Sequence, residues 1–317
     1  MAAESTEPGL LKRWAIAVRP FAYTASMLPV VLGLALAHYL GYRMLWGRFV
    51  LTLLGVFCFH TGANLLSDCY DYRRGLDTEP EPLSGAVVRG LLTPEQVFRA
   101  SLVFFALGVG CGLTLVYLAG WVVLALGLAG TLLSAGYTAP GLKLKCRGVG
   151  DAAIFLCFGP LAVFGTFWVQ TETVRAAPVL WSLPVVMFTV AILHANNWRD
   201  MESDRARGCR TVAALLGHAG SAAYYRGLVL GPHALILLYV VLGAVRNVGL
   251  SAPPTALLVL AALPASLKLV ANSRKRRSEA EAEAFRTLDG QTAKVHLLFS
   301  SLLTVGLFLA PHLPELR

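Results

Sequence analysis

Long apolar segments, most of them close to 20 residues, recur along this 317-residue chain. A helix of about 20 apolar residues can cross the hydrocarbon core of a bilayer. Only 14% of the residues are charged, whereas soluble proteins carry about 25%. The alternating ten-residue segments that are typical of membrane barrels do not occur. The sequence therefore predicts an all-α, multi-span transmembrane bundle in which residues 1–317 form a single domain.

Nine segments are long and apolar enough to be predicted as membrane spans. Their boundaries are 21–41, 49–69, 98–118, 121–138, 150–170, 178–198, 222–243, 250–271 and 292–311. Spans three and four meet at Ala119-Gly120, which is consistent with one tight helical hairpin.

The Lys and Arg residues are distributed asymmetrically about these spans. With nine spans, all but five of the 27 lie on the same side as the N-terminus. Because positively charged loops stay in the cytoplasm, the N-terminus is predicted to be cytoplasmic. In a bacterium the chain would lie in the plasma membrane. Contact between these loops and anionic lipid headgroups accounts for the net charge of +9, so we expect membrane lipids as partners and no nucleic acid.

The N-terminal residues do not resemble a signal peptide. The first residues are acidic and lack the apolar region of a signal peptide, so the first span is expected to direct insertion.

The six cysteines contain no C-x-x-C pair. Most lie within spans or on the predicted cytoplasmic side, where disulfides are rare, so we expect no disulfide there.

Two short acidic clusters stand at the cytoplasmic ends of the second and sixth predicted spans. Each is an Asn followed by two Asp residues at helical spacing: Asn64, Asp68 and Asp71 in the first, and Asn196, Asp200 and Asp204 in the second. Residues three or four apart share one face of a helix. Carboxylates at a membrane boundary are costly and usually mark a functional site. Two clusters of the same order on the same side are poorly explained as ordinary interfacial charges.

Oxygen ligands of this kind suit Mg²⁺, which also takes phosphate oxygens and water. No Cys or His cluster suggests zinc. Basic residues follow both clusters, and a metal-bound diphosphate needs such cations for its remaining oxygens. The candidates next to the carboxylates are Arg73 and Arg199, and the connection between spans four and five adds Tyr137, Lys143 and Lys145. The alternative for each is membrane-surface charge. His60 and His194 are interpreted as structural histidines that could also touch an aromatic substrate.

These motifs resemble the UbiA superfamily of intramembrane prenyltransferases over nearly the whole chain. The matching stretches are Arg19-Pro20, residues 64–75, Gly150-Asp151, residues 196–208 with Thr211, and Thr292-Ala-Lys294. Gly75-Leu-Asp77 after the first motif favours the 1,4-dihydroxy-2-naphthoate polyprenyltransferases of menaquinone synthesis and their animal relative that makes vitamin K₂. The segment Gly85–Gly90 matches no role.

The resemblance implies nine helices around a central cavity that opens laterally to lipid. It implies Mg²⁺ held by Asn64, Asp68, Asp71, Asp200 and Asp204, the four aspartates being the catalytic residues. It implies diphosphate binding by Arg73, Tyr137, Lys143, Lys145 and Arg199, with Asn196 and Asn197 orienting ligands. The expected reaction joins a polyprenyl chain from an isoprenyl diphosphate to 1,4-dihydroxy-2-naphthoate, with loss of CO₂ and pyrophosphate, and gives demethylmenaquinone. The site would open on the cytoplasmic side.

Two alternatives stay open. One is the same enzyme with another acceptor, such as homogentisate or 4-hydroxybenzoate, because the sequence separates aromatic acceptors poorly. The other is a cation-coupled transporter. Transporter sites tend to lie near the bilayer midplane at broken helices, whereas these clusters lie at helix ends among arginines, so transport is the less favoured reading.

Overall fold

Helices make up nearly all of the regular structure in this protein. The computed structural model describes residues 9–73, 85–138, 142–244, 252–274 and 279–313, and within these ranges it contains no β-strand. The helices are α1 (Leu10–Val18), α2 (Tyr23–Tyr39), α3 (Trp46–Arg73), α4 (Pro94–Ala119), α5 (Trp121–Thr138), α6 (Gly150–Leu156), α7 (Ala162–Thr171), α8 (Ala177–Arg199), α9 (Met201–Ala206), α10 (Val212–Ala244), α11 (Leu263–Asn272), α12 (Glu279–Arg286) and α13 (Leu288–Leu309). The all-α prediction is confirmed for these residues.

Among the described residues, seven stretches are long and apolar enough to cross a membrane. They are Trp46–Tyr70, Pro94–Ala119, Gly150–Thr171, Ala177–Arg199, Val212–Gly243, Pro254–Asn272 and Leu288–His312, and they coincide with seven of the nine predicted spans. The predicted span 21–41 corresponds to α2, which forms a pair with α1 bent by 70° and would give an eighth crossing. The predicted span 121–138 corresponds to a shorter apolar helix. The count of nine and the cytoplasmic N-terminus stay predictions.

Several helices are broken inside their apolar stretches. A π-helical turn at Cys157–Leu161, which contains Pro160, joins α6 to α7. Within α10 the backbone leaves helical geometry at Gly217, where φ is 65°. The predicted connection 199–221 is largely helical, because it contains α9 and the first turns of α10. Proline, glycine and π-helical turns are the usual causes of such breaks, which a hydropathy pattern does not show.

The buried core surrounds α8, which packs against α2, α10 and α13. Trp181, Phe188 and Trp198 of α8 are almost fully buried. By contrast, only 17% of the residues in the most apolar stretch of α4 are buried, against 61% in that of α8. The second acidic motif therefore lies at the end of the most enclosed helix, whereas α4 presents much of its surface outward.

Candidate functional site

The first acidic motif lies on the last turns of α3. Asp68 has no exposed side-chain surface, and its Oδ2 accepts a hydrogen bond from the backbone N–H of Val87 at 3.3 Å. Its Oδ1 lies 3.7 Å from Nη2 of Arg19. One turn earlier, Asn64 donates from Nδ2 to the carbonyl of Val18 at 3.0 Å. The side chain of Asp71 lies outside the described residues.

Arg19 contributes a positive charge to this site. It falls in one of the matching sequence stretches, but it was assigned no role there. It stands in the break between α1 and α2 with φ of 54°, in the left-handed region. Pro20 follows it, and the residue before a proline is disfavoured in the α region. Non-glycine residues hold strained conformations mostly where function requires them. The available signal was an Arg-Pro pair at a helix break on the same side as the acidic motif.

The segment Gly85–Gly90, which matched no role in the sequence, packs over Asp68. Its Ala86 and Val87 are buried against Leu65 and Cys69 of α3. The backbone turns tightly because both end glycines adopt positive φ, 76° and 67°, which costs glycine little. The result is a backbone N–H directed at a buried carboxylate.

The described contacts of Arg73 are with α4. Its Nη2 lies 3.8 Å from Oε2 of Glu95, and its guanidinium lies 5.5 Å from the ring centroid of Phe98 on α4. Both charged side chains are largely exposed. The described contacts of Arg73 are therefore those of a surface arginine, although it follows the motif directly in sequence.

The second motif spans the bend between α8 and α9. Asp200 joins the two helices with φ of −90° and ψ of 10°. Its N–H still bonds to the carbonyl of Asn196 at 3.1 Å, and the N–H of Asp204 bonds to the carbonyl of Asp200 at 2.9 Å. The predicted stripe of Asn196, Asp200 and Asp204 thus keeps helical hydrogen bonding across the bend.

Arg199 is held by several acceptors at this bend, among them three side chains. Nε donates to Oδ1 of Asp200 at 3.0 Å, Nη1 donates to Oδ2 of Asp289 at 3.0 Å, and Nη2 donates to Oδ1 of Asn196. Asp289 opens α13 and was missed by the sequence reasoning. The available signal was an isolated acidic residue at the start of the last predicted span, on the predicted cytoplasmic side.

Asp204 is a buried residue of the second motif, with only 7% of its surface accessible. Burial raises the pKa of Asp204 above its usual value, the charge of Lys145 opposes this, and the charge of Asp200 adds to it. Its Oδ2 has no hydrogen-bond partner. A buried carboxylate oxygen without a partner is one that a bound cation would satisfy.

A disulfide fixes the loop that carries the predicted lysines. Cys146 is bonded to Cys209 across a sequence separation of 63 residues. The N–H of Arg210 also bonds to the carbonyl of Cys146 at 3.1 Å, and that of Cys209 to the carbonyl of Asp204 at 2.8 Å. The expectation that no disulfide forms here was wrong, because spacing in sequence does not reveal that these two loops lie side by side.

The tethered loop places its predicted residues unequally. Lys145 is half-buried within electrostatic range of Asp204, whereas Lys143 is exposed. Tyr137, at the end of α5, packs against Gly150, where an added Cβ would lie 3.3 Å from its ring. The Tyr137 hydroxyl and Oδ1 of the buried Asn197 have no hydrogen-bond partners. Both are therefore available to a ligand.

The donor atoms of both motifs fit a hard cation, since all are carboxylate or amide oxygens. Among the described side chains, however, no three His, Cys, Asp or Glu residues form a group able to hold a metal ion. Asp68 lies with Arg19 and Val87, and Asp204 lies with Asp200 and Lys145.

Comparison with known proteins gives consistent matches. The model of the UbiA prenyltransferase family matches residues 26–310. The mouse and human proteins named UbiA prenyltransferase domain-containing protein 1 are 34% and 33% identical over 308 residues, covering 94% of this chain and 84% of theirs.

Solved structures share the fold at low sequence identity. A structure of digeranylgeranylglyceryl phosphate synthase superposes with a TM-score of 0.59 at 15% identity, covering 94% of this chain and 98% of that chain. A UbiA homolog from Archaeoglobus fulgidus bound to GPP and Mg²⁺ gives 0.58 at 14%, covering 92% and 99%.

Proposed function

Because this chain belongs to the UbiA prenyltransferase family, we propose that it transfers a polyprenyl chain from an isoprenyl diphosphate to 1,4-dihydroxy-2-naphthoate. The products are the reduced form of demethylmenaquinone, a prenylated naphthalenediol, together with CO₂ and pyrophosphate. The protein is an integral membrane prenyltransferase of the UbiA type, as the family and the seven apolar helices show. The likeness to the vertebrate proteins over 94% of the chain supports the naphthoate branch named by the sequence motifs.

The main support for binding of a metal and the isoprenyl diphosphate is Oδ2 of Asp204. This oxygen is buried and has no hydrogen-bond partner, and it lies near Asp200 and Lys145. Mg²⁺ would be held by Asn64, Asp68, Asp71, Asp200 and Asp204, and when bound it neutralises charge on the departing diphosphate. The Archaeoglobus homolog solved with GPP and Mg²⁺ supports this choice of ligand and metal.

The chain's own cations bind and orient the diphosphate. Lys145 and Arg199 lie beside Asp204 and Asp200, and Arg19 lies beside Asp68. Charge-assisted hydrogen bonds from such groups stabilise the negative charge that grows as the C–O bond breaks. Lys143, Arg73 and Tyr137 are proposed to complete this shell, and Asn196 and Asn197 to orient the substrates. The cavity has to exclude water, because water would capture the allylic cation.

Product analysis tests the acceptor. Purified protein is incubated with geranylgeranyl diphosphate, Mg²⁺ and, separately, 1,4-dihydroxy-2-naphthoate, homogentisate or 4-hydroxybenzoate, with a chelator control. We expect a decarboxylated, prenylated naphthalenediol by mass spectrometry from the first acceptor only. Prenylation of another acceptor with none of the naphthoate would assign the enzyme to a different branch.

Pyrophosphate release tests the transporter alternative. A prenyltransferase releases pyrophosphate from geranylgeranyl diphosphate only when Mg²⁺ and an aromatic acceptor are both present. Cation flux into proteoliposomes without pyrophosphate release would favour transport. We propose the cytoplasmic side for the opening of the site, since the loops that carry Lys143 and Lys145 fall there by the distribution of charge.

A further inference from the structure

A second group of buried polar side chains lies next to the diphosphate site and has no part in the donor chemistry. Asp151 opens α6 and is 4% exposed, and His194 of α8 is fully buried. Nδ1 of His194 lies 3.5 Å from Oδ2 of Asp151. The ring of Tyr224 on α10 meets the His194 ring edge-on, with the centroids 4.8 Å apart. Three helices thus direct titratable side chains to one place.

The polar atoms of this group are unpartnered. No hydrogen bond reaches either carboxylate oxygen of Asp151 or either ring nitrogen of His194. The hydroxyl of Tyr224 lies close enough to interact with the Asp151 carboxylate, although the contact falls outside ordinary hydrogen-bond geometry. Buried polar groups are paired in the great majority of cases. Buried polar groups whose mutual contacts are this loose can take up hydrogen bonds from a ligand.

The position of the group relates it to the second acidic motif. Tyr137 lies within electrostatic range of both Asp151 and Asp204, and its ring packs at Gly150, directly before Asp151. His194 lies one helical turn before Asn197, whose Oδ1 is also unpartnered. A ligand held by Asp151 and His194 would therefore lie beside the donor's diphosphate site, as the second substrate must.

We propose that Asp151 and His194 bind a hydroxyl group of the aromatic acceptor and that His194 accepts its proton. This rests on the proposed function. Asp151 is a positioning residue: it accepts the Nδ1–H of His194 and leaves the lone pair of Nε2 for the acceptor. The 3.5 Å separation is long for a hydrogen bond, and such pairs commonly shorten when substrate binds. The Asn197 amide and the Tyr224 ring complete the wall of the pocket.

The proton transfer has a clear chemical purpose. Loss of the hydroxyl proton to Nε2 leaves an aryl oxide, whose ortho ring carbon is a stronger nucleophile. The electron pair of that carbon forms the bond to the allylic carbon, while the C–O electron pair leaves with pyrophosphate. The attacked carbon then loses its carboxyl group as CO₂, and the released pair restores the aromatic oxide. That oxide takes the proton back from His194, so the residue is unchanged after each turnover.

The test uses His194→Gln and Asp151→Asn in the full-length protein, with His233→Gln as matched control. His233 is a buried histidine of α10 that is bonded to Ser266 at 2.9 Å and lies outside the proposed pocket. The measurements are kcat/KM for the acceptor between pH 6 and 9 and the affinity for geranylgeranyl diphosphate with Mg²⁺. The described titratable groups that face His194 are Asp151 and Tyr224, with Tyr137 beyond Asp151.

General bases contribute about 10²- to 10⁴-fold, so we expect His194→Gln to lower kcat/KM for the acceptor about 100-fold or more. Donor affinity should be retained. The loss should shrink as pH rises toward the pKa of the acceptor hydroxyl, because the solvent then supplies the aryl oxide. Asp151→Asn, which changes one atom, should act in the same direction, and His233→Gln should leave acceptor kinetics unchanged.

Two results would overturn the proposal. One is acceptor kcat/KM in both variants close to that of the unsubstituted protein. The other is a loss that is equal at every pH and matched by lost donor affinity, which is the signature of a structural role. If His194→Gln does not yield folded protein, Asp151→Asn carries the test alone. If the unsubstituted protein prenylates no aromatic acceptor, the proposed function fails and this inference with it; if it is active and the variants match it, only this inference fails.

Discussion

Arg199 at the end of α8 donates from Nη1 to Oδ2 of Asp289, the second residue of α13, at 3.0 Å. The contact joins the second acidic motif to the last helix across 90 residues of sequence. Both side chains are about three-quarters buried. Arg199 is therefore held in one orientation by an acidic residue that has no place in either motif.

Asp289→Asn should weaken donor binding while the protein still folds, because Arg199 loses one of its charged acceptors. Hydrogen bonds to charged groups contribute about 1.5–3 kcal/mol when fully buried, and partial exposure reduces this, so we expect KM for the donor to rise up to about tenfold. Glu202→Gln is the control, since Glu202 pairs with Arg205 at the surface. Equal donor KM in the two variants would show that Asp289 does not orient Arg199.

Asp68→Ala and Asp200→Ala should each abolish turnover without preventing membrane insertion. Each removes a carboxylate that we assign to metal and diphosphate binding, and effects of 100-fold or more are usual for such groups. Product formation and the amount of protein in the membrane fraction are measured together. Near-normal activity in either variant would show that the metal assignment is wrong.

Lys145→Met should move the acid limb of the activity profile to higher pH. The charge of Lys145 lowers the pKa of Asp204 against the effect of burial, so its removal raises that pKa further. Protonated Asp204 cannot bind a cation, and activity is then lost at a higher pH as the solution is acidified. Activity is measured against pH at saturating donor, with Lys268→Met on α11 as the exposed control. Identical acid limbs in both variants would contradict the assignment of Asp204.

Removal of the Cys146–Cys209 disulfide should raise KM for the donor several-fold and leave kcat nearly unchanged. The bond tethers the loop of Lys145 to the segment after Asp204, and a looser loop pays more ordering entropy when it binds diphosphate. The Cys146→Ser/Cys209→Ser protein is compared with Cys111→Ser. Unchanged donor KM in the double variant would show that the remaining backbone bond suffices to place the loop.

Gly306→Ala should destabilise the protein, because an added Cβ would lie 2.5 Å from the carbonyl oxygen of Thr255. Overpacking of this kind costs about 1–3 kcal/mol. Gly227→Ala on α10 is the control, since no atom lies within 4 Å of its added Cβ. Thermal unfolding in detergent measures both. A melting temperature of Gly306→Ala at or above that of the control would contradict the close approach of the two backbones.

Local patterns predicted much of the fold. Seven of the nine predicted spans coincide with helices able to cross a membrane, because apolar length is a property of consecutive residues. The two others were less well defined: α2 is bent against α1, and α5 is short. Whether α2 and α5 cross the membrane depends on how neighbouring helices pack, and a hydropathy pattern carries no information about packing.

The sequence by itself determined the helical class and the two acidic motifs, since each is carried by residues within a few turns of one another. It also determined the family likeness, which is the sum of such local motifs along the chain. Only the tertiary structure decided which groups complete the site: Val87 on Asp68, Asp289 on Arg199, Cys209 on Cys146 and Asp151 on His194. These partners lie 19 to 90 positions apart in the chain. Contacts at such separations are set by the packing of whole helices, and no spacing in the sequence encodes them.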